Sequence, residues 1–341
     1  MKFSQLQVIV AAGALATVAS LAAPSFAAVV SFGSGANQFN MEFVTIGNPN
    51  NAADTTGNPS PAGSVGYEYG IGKFEVSRNM ITKYNSAFGT ANSLEISLGD
   101  MTSFGGNGAN KPATGVSWHE AARFVNWLNT STGNQAAYKF TSSGVEDPND
   151  LWTSGDAGYD ATNQYRNSLA KYVLPSYNEW HKAAYYDPIN DTYYDYPTGS
   201  NTAPIGVASG TTAGTAVFSA FFFEQSGPAD VNQAGGLSPY GVMGLGGNVW
   251  EYEETSYDLA NDGINSTRAM RGGVWLGLSE SLSSSIRSGI NPDGGNIGIG
   301  FRVASVEPFS GPPPVVPEPS MMVIGTLFGL GGLVAKRRMK K

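Results

Sequence analysis

Two stretches of this chain have the residue pattern that begins an amphipathic helix. The main helices of the fold are therefore expected at these two places. Residues 113–129 contain Ser117 and Glu120 in a Ser-x-x-Glu capping box, followed by apolar residues at the spacing of one helix face. Residues 172–188 repeat the box with Ser176 and Glu179, and Pro188 is expected to end that helix. We therefore predict two main helices.

The remaining pattern is one of short strands and turns. Residues 67–77, 269–278 and 299–306 resemble short strands in their apolar and polar pattern, and glycine supplies 44 of the 341 residues, about twice its ordinary share. These features predict an irregular, loop-rich α+β domain with short antiparallel strands. The polar, Gly/Asp-rich stretch 142–168 is interpreted as a long surface insertion.

The chain contains no cysteine, which excludes disulfides and thiol chemistry. Apart from Lys2 and the five basic residues at its C-terminal end, it has 13 basic residues against 27 acidic ones, a balance of about −14. A surface this acidic argues against nucleic acid and against anionic lipid as partners.

Glu251 follows a bulky aromatic directly, in the run YGVMGLGGNVWEYEE at residues 240–254. A carboxylate buried there needs a metal ion, a cation or several hydrogen-bond donors. His119 and His181, the only histidines of the sequence, fall just inside the two predicted helices. We expect both to be half-exposed first-turn residues, although pairing of either with carboxylates stays open.

Several motifs, in a fixed order, are similar to those of the formylglycine-generating enzyme (sulfatase-modifying factor) family. They include YGIGKFEVSRNMITKYNSAF, KPATGVSWHEAARFVNWLN and YVLPSYNEWHKAAYYDP, then residues 247–251 (GNVWE), 271–273 (RGG) and 300–302 (GFR). Together the matching segments extend from about residue 65 to 305, within a domain placed at 28–307. The resemblance implies a variant of the C-type lectin fold.

The same resemblance raises the question of activity. It implies a copper-binding cysteine pair that oxidises a substrate cysteine to formylglycine, at positions that correspond to about Gly277 and Leu282 here. Neither residue has a ligand atom, whereas soft Cu(I) prefers sulfur ligands. We therefore expect no oxidase chemistry of the family type and assign no catalytic residue.

The family resemblance also implies a calcium site at the GNVWE turn. Glu251 would supply a carboxylate, and Gly247 and Val249 their backbone carbonyls, but the fourth position is Gly244, which has no side chain. Since Ca²⁺ takes six to eight oxygen ligands, the possible site would be weakened. The alternative is that Glu251 accepts hydrogen bonds from the loop and holds the turn without a metal.

The other motif residues are interpreted as structural. Trp250 and Trp275 are expected to be core aromatics, and Arg271 and Arg302 to pair with buried acids or carbonyls through their planar guanidinium groups. Asn248 is expected to satisfy loop backbone groups with its amide. The remaining members of this structural set are Gly272, Gly273, Gly300 and Phe301.

The two ends of the chain indicate export. Residues 1–27 have the basic start, apolar stretch and small-residue cleavage site of a secretory signal peptide. After a Pro-rich linker at 308–315, residues 316–341 contain Pro317, Glu318 and Pro319, a short apolar segment and a basic end, and they resemble a PEP-CTERM sorting signal. The resemblance implies processing by an exosortase in a Gram-negative bacterium. An ordinary membrane anchor is the alternative at each end.

Three functions remain open from the sequence. The leading one is an exported protein without the family's activity, anchored transiently in the membrane and then bound to a polysaccharide or protein at the cell surface or in the biofilm matrix. Tyr-rich residues 185–199 are candidates for stacking on sugar rings, or for solvated loops. The others are an enzyme with non-thiol, metal-dependent chemistry that uses His119 or His181 with carboxylates, and a structural matrix component without a discrete ligand.

Overall fold

The computed structural model describes residues 27–140, 150–219, 227–263 and 265–309. Within these ranges it has three α-helices: α1 (Arg78–Tyr84), α2 (Trp118–Ser131) and α3 (Tyr177–Tyr185). Thirteen short strands surround them, β1 (Ala27–Phe32), β2 (Phe39–Ile46), β3 (Tyr69–Gly72), β4 (Tyr172–Val173), β5 (Tyr186–Asp187), β6 (Thr192–Tyr193), β7 (Ile205–Gly206), β8 (Thr215–Ala216), β9 (Trp250–Ser256), β10 (Arg268–Arg271), β11 (Ser288–Ile290), β12 (Ile299–Gly300) and β13 (Ala304–Ser305).

The larger sheet joins the two ends of the described chain. Its strands are antiparallel in the order β1-β2-β3-β13-β4, so β13 lies between β3 and β4 although it comes last in sequence. Ala304 of β13 lies opposite Ile71 on one side and Val173 on the other. The strands β1 and β2 precede the first matching motif, which begins at about residue 65.

The second sheet carries the GNVWE segment. Its order is β11-β10-β9-β12, with β9 central, antiparallel to β10 and parallel to β12. Two small pairs, antiparallel β5–β6 and parallel β7–β8, lie outside these two sheets. The result is the predicted loop-rich α+β fold with mostly antiparallel strands.

Both predicted capping boxes are confirmed. At the start of α2, Ser117 accepts a hydrogen bond from the backbone N–H of Glu120, whose carboxylate accepts one from the N–H of Ser117. Ser176 and Glu179 make the same reciprocal pair at the start of α3. Phe124, which lies on α2, packs edge-on against Phe301 after β12, with ring centroids 5.8 Å apart. Helix α2 is thereby attached to the main hydrophobic core, which contains both rings.

Two expectations about the chain's outline were incomplete. The short helix α1 was not predicted, and the stretch expected to be a surface insertion is not confined to the surface. In its described part, residues 150–168, Tyr165 and Asn167 are buried. Within the described ranges, no helix is both long enough and apolar enough to cross a membrane. Residues 1–26 of the signal peptide predicted at 1–27 and the sorting signal Pro317-Glu318-Pro319 lie outside the described residues, whereas Ala27 begins β1.

Candidate functional site

Three glutamates on the central strand β9 are fully buried. Glu251, Glu253 and Glu254 have no solvent exposure, and the chain enters this strand through a tight turn in which Gly247 and Asn248 have positive φ angles of 78° and 58°. A Cβ at Gly247 would lie 2.2 Å from the carbonyl oxygen of Val217, so this approach requires glycine. The turn therefore delivers a cluster of carboxylates into the interior, where each needs a partner.

The partner of Glu251 is a guanidinium group. Arg302 donates from Nε to Oε2 at 2.6 Å and from Nη2 to Oε1 at 2.5 Å, and Trp180 Nε1 donates to Oε2 at 2.7 Å. Arg302 also donates to the carbonyls of Gly72 and Met243, at 2.7 and 2.9 Å. The carboxylate thus holds β9, the end of β3 and the Gly-rich loop together.

These contacts do not fit the calcium ligand set. Both carboxylate oxygens of Glu251 face cationic or N–H donors, and a divalent cation beside Arg302 would add like-charge repulsion. Moreover, a Cβ at Gly244 would lie 2.8 Å from the carboxyl group of Glu75, so that group fills the space expected for a ligand side chain. Among the described residues, Glu251 accepts hydrogen bonds from the side chains of Arg302 and Trp180, not from the loop N–H groups that the metal-free alternative supposed. Gly247 and Val249 lie in the turn before β9, where the Gly247 N–H donates to the carbonyl of Gly272.

Glu75 and Asn248 form the second layer of this turn. Asn248 donates from Nδ2 to Glu75 Oε1 at 2.8 Å and accepts from the N–H of Ala229 at 2.8 Å, so its predicted role in fixing loop backbone is confirmed in part. Burial and the neighbouring charge of Glu251 raise the pKa of Glu75 to about 8. Glu75 is therefore mainly uncharged at neutral pH, which limits repulsion between the two glutamates.

Glu253 and Glu254 are neutralised by other arginines. Arg271 Nε and Arg287 Nε donate to the two oxygens of Glu253, at 2.5 and 2.9 Å. Arg271 also donates to the carbonyls of Asn58 and Ser284. The predicted pairing of Arg271 and Arg302 with buried acids is confirmed.

Arg166 lies in the stretch interpreted as a surface insertion, and it binds Glu254, the third buried glutamate of β9. Its Nε donates to both oxygens of Glu254 and its Nη1 and Nη2 to the two oxygens of Glu179, all at 2.9 Å. Burial would raise the pKa of Glu179, but the charge and hydrogen bonds of Arg166 prevail and hold it at about 2. The surface-insertion prediction is incomplete here, because Arg166 contacts two buried carboxylates that require a cation.

The two histidines are buried, which corrects the expectation of half-exposed side chains. His119 is 2% exposed with Nδ1 2.6 Å from Asp293 Oδ1, and His181 is 0% exposed with Nε2 2.9 Å from Asp54 Oδ2. Distant loops cover them: a Cβ at Gly57 would lie 2.6 Å from the ring of His181. Burial lowers the pKa of His181 to about 4, although Asp54 opposes this, so the imidazole is neutral at neutral pH.

The positions expected for the copper-binding cysteines contain no ligand. Leu282 is fully buried against Ala216 and Phe218. At Gly277, an added Cβ would lie 2.7 Å from Ser281 Oγ. Among the described residues, no group of three or more His, Asp or Glu side chains is arranged to hold a metal ion.

The remaining motif residues are structural in their contacts. Gly272 and Gly273 have φ angles of 92° and 78°, and a Cβ at Gly273 would meet Leu282 and Ser281. A Cβ at Gly300 would lie 3.0 Å from the carbonyl of Ala113. Trp275 is buried, as are Phe301 and Val249, whereas Trp250 is partly exposed.

The Tyr-rich stretch is buried mainly at its start, at residues 185–187. Tyr185 and Tyr186 are buried, and Tyr193 packs on both Tyr186 and His181. These three rings are therefore poor candidates for the predicted stacking on sugars. The described chain instead has two larger grooves, of about 680 Å³ beside β1, β2 and α1 and about 560 Å³ beside the start of α3.

Comparison with known proteins agrees with this fold. A family model for the sulfatase-modifying factor enzyme 1-like domain matches residues 26–306. The solved structure of Treponema denticola variable protein 1 is 18% identical with a TM-score of 0.54, over 82% of this chain and 99% of that chain. That of CarF is 20% identical with a TM-score of 0.56, over 79% and 99%. At these identities the similarity shows the fold. Among curated proteins, none matches.

Proposed function

Because the chain belongs to the sulfatase-modifying factor enzyme 1-like family, we propose that it uses the family's fold for recognition and not for copper-dependent oxidation of cysteine. In this proposal it is an exported protein that binds a polysaccharide or protein at the cell surface or in the extracellular matrix. Family membership establishes the fold, whereas the activity depends on the residues at the site.

The observation that carries the proposal is the side chain at each expected cysteine position. Leu282 packs its apolar side chain into a closed cluster, and Gly277 has none. The rest of the sequence has no cysteine that could move into their place. Thiolate is the ligand that selects Cu(I), so the chain lacks the donor on which this oxidation depends.

The internal ion pairs support a recognition role for the scaffold. Glu251, Glu253 and Glu254 each hold an arginine that also binds carbonyls or acids of distant segments. Rigid loops with fixed backbones are suited to present a preformed surface to a ligand. The network therefore stabilises loops without leaving its carboxylates free for acid–base chemistry.

A copper-binding competition tests the proposal. The full chain is titrated against a chromophoric Cu(I) chelator, beside the double variant Gly277→Cys/Leu282→Cys as the matched control. We expect the natural chain to leave the chelator complex unchanged and the variant to withdraw copper from it. Stoichiometric copper uptake by the natural chain would overturn the proposal.

Export and sorting form the second part of the proposal. It rests on the signal-peptide pattern of residues 1–27 and on Pro317-Glu318-Pro319 with the apolar and basic segments that follow. In a host with an exosortase, the released protein should have the intact mass of a chain that has lost its C-terminal segment. The variant with alanine at residues 317–319 should stay cell-associated. Release of both proteins with the same mass would contradict exosortase processing.

A further inference from the structure

A polar groove of about 560 Å³ lies between the loop at residues 160–168, the start of α3 and the end of β9. Its volume falls within the range of small-molecule sites, about 300–1,000 Å³. Hydroxyl and side-chain amide groups dominate the lining, with two tyrosine rings among them. The side chains that matter here are those of Tyr67, Tyr177, Asn163, Asn178, Asn261 and Asp160.

Tyr67 supplies a fixed aromatic surface at this groove. Its side chain is 45% exposed, yet its hydroxyl donates to Glu179 Oε1 at 2.6 Å and its ring meets Tyr69 edge-on with centroids 6.1 Å apart. A large exposed ring held at its hydroxyl end loses little rotamer freedom when a ligand stacks on it. The anchoring therefore favours a preformed stacking surface.

The charges around the groove favour an uncharged ligand. The guanidinium nitrogens of Arg166 are directed to Glu179, Glu254 and the carbonyl of Leu174, so its charge is already neutralised. Asp160 adds a further negative charge at the lining. An anion would be repelled, whereas hydroxyl groups find amide donors and acceptors. Asn178, oriented by the hydrogen bond from the Gly63 N–H to its Oδ1, has two amide protons to donate.

The geometry points to this groove as the binding site for a neutral polysaccharide, with the ring of Tyr67 stacked on one sugar ring and Asn178 donating to its hydroxyls. This assignment deepens the proposed recognition function and rests on it. Three features indicate this class of ligand. They are the exposed ring of Tyr67, the amide and hydroxyl groups of the lining, and the net negative charge of Arg166, Glu179, Glu254 and Asp160 taken together.

Affinity electrophoresis of the full chain tests the site, in native gels that contain dextran, hydroxyethyl cellulose, galactomannan or the anionic polymer alginate. A polyoxyethylene detergent without a sugar headgroup keeps the chain soluble. We expect retardation by at least one neutral polysaccharide and none by alginate. Tyr67→Ala should weaken the binding about tenfold or more, as loss of a central aromatic contact does. Tyr67→Phe should weaken it less than threefold.

The matched control is Tyr257→Ala, because Tyr257 is 46% exposed but lies outside the groove lining. It should bind like the natural chain, and thermal melts confirm that each variant is folded. Absence of retardation on every neutral polysaccharide, retardation by alginate alone, or equal binding by Tyr67→Ala and Tyr257→Ala would each overturn the assignment. The copper competition is independent of these outcomes, so failure of the groove and failure of the recognition proposal are distinguishable.

Discussion

Replacement of Arg302 by methionine should destabilise the protein strongly. Arg302 and Glu251 are both fully buried, and the substitution removes two charge-assisted hydrogen bonds to Glu251 and the donors to the carbonyls of Gly72 and Met243. Breaking a buried ion pair from one side costs about 3–5 kcal/mol, and the carbonyls left without donors favour the upper part of that range. Trp180 would remain as the only hydrogen-bond donor to Glu251 among the described residues.

Urea unfolding followed by circular dichroism measures this cost. The control is Lys73→Met, because Lys73 and Glu42 form a 2.9 Å ion pair with side chains 29% and 38% exposed, and its loss should cost less than about 1 kcal/mol. The double variant Glu251→Leu/Arg302→Met removes both charges and should recover at least half of the lost stability. Equal unfolding midpoints for Arg302→Met and Lys73→Met would mean that Arg302 is not the counterion on which Glu251 depends.

Four further predictions concern pH, the turn and calcium. Glu179 has a pKa of about 2 against an ordinary 4.5. Its contribution to the free energy of unfolding, on the order of 3 kcal/mol, is therefore complete above pH 4.5 and lost as the pH falls towards 2. In Glu179→Gln, the urea unfolding midpoint should depend less on pH between 4.5 and 2 than it does in the natural chain. His181 has a pKa of about 4 against 6.5, so stability should fall between pH 6.5 and 4, and an unchanged slope in His181→Gln would contradict this. Gly244→Asp should lower the thermal midpoint, because the position has a φ of 77° and lies against Glu75; a calcium-dependent gain in its melting temperature would be the opposite result. In the natural chain, excess calcium or EGTA should shift the melting temperature by less than about a degree, because Glu251 is bound to Arg302.

The elements that could be predicted are those specified by nearby residues. Ser117 and Ser176 cap their helices through bonds that span three residues, so the sequence pattern contains the full interaction. Helix α1 has only seven residues and a single serine cap at Ser77, which is too little pattern to separate it from a turn. Local interactions therefore explain why α2 and α3 could be predicted and why α1 could not.

The partners of buried charges could not be predicted from the sequence, because they are far apart along it. Arg166 lies 88 residues from Glu254, and Glu251 lies 51 residues from Arg302. A sequence shows that arginines and glutamates are present but not which pairs meet. Burial of His181 depends likewise on Asp54, 127 residues away. The general expectation that the arginines pair with acids was confirmed, whereas the choice between calcium and a nitrogen donor at Glu251 required the contacts themselves.

We infer that this member of the family has the family's scaffold without its oxidation chemistry. The direct test is incubation of the purified full chain with copper, oxygen and a cysteine-containing peptide, followed by mass spectrometry of the peptide. We expect that the cysteine is not converted to formylglycine beyond the level seen with copper alone. Appearance of the aldehyde that depends on the protein, detected by its mass and by reaction with a hydrazide, would show that the chain has the oxidation chemistry after all.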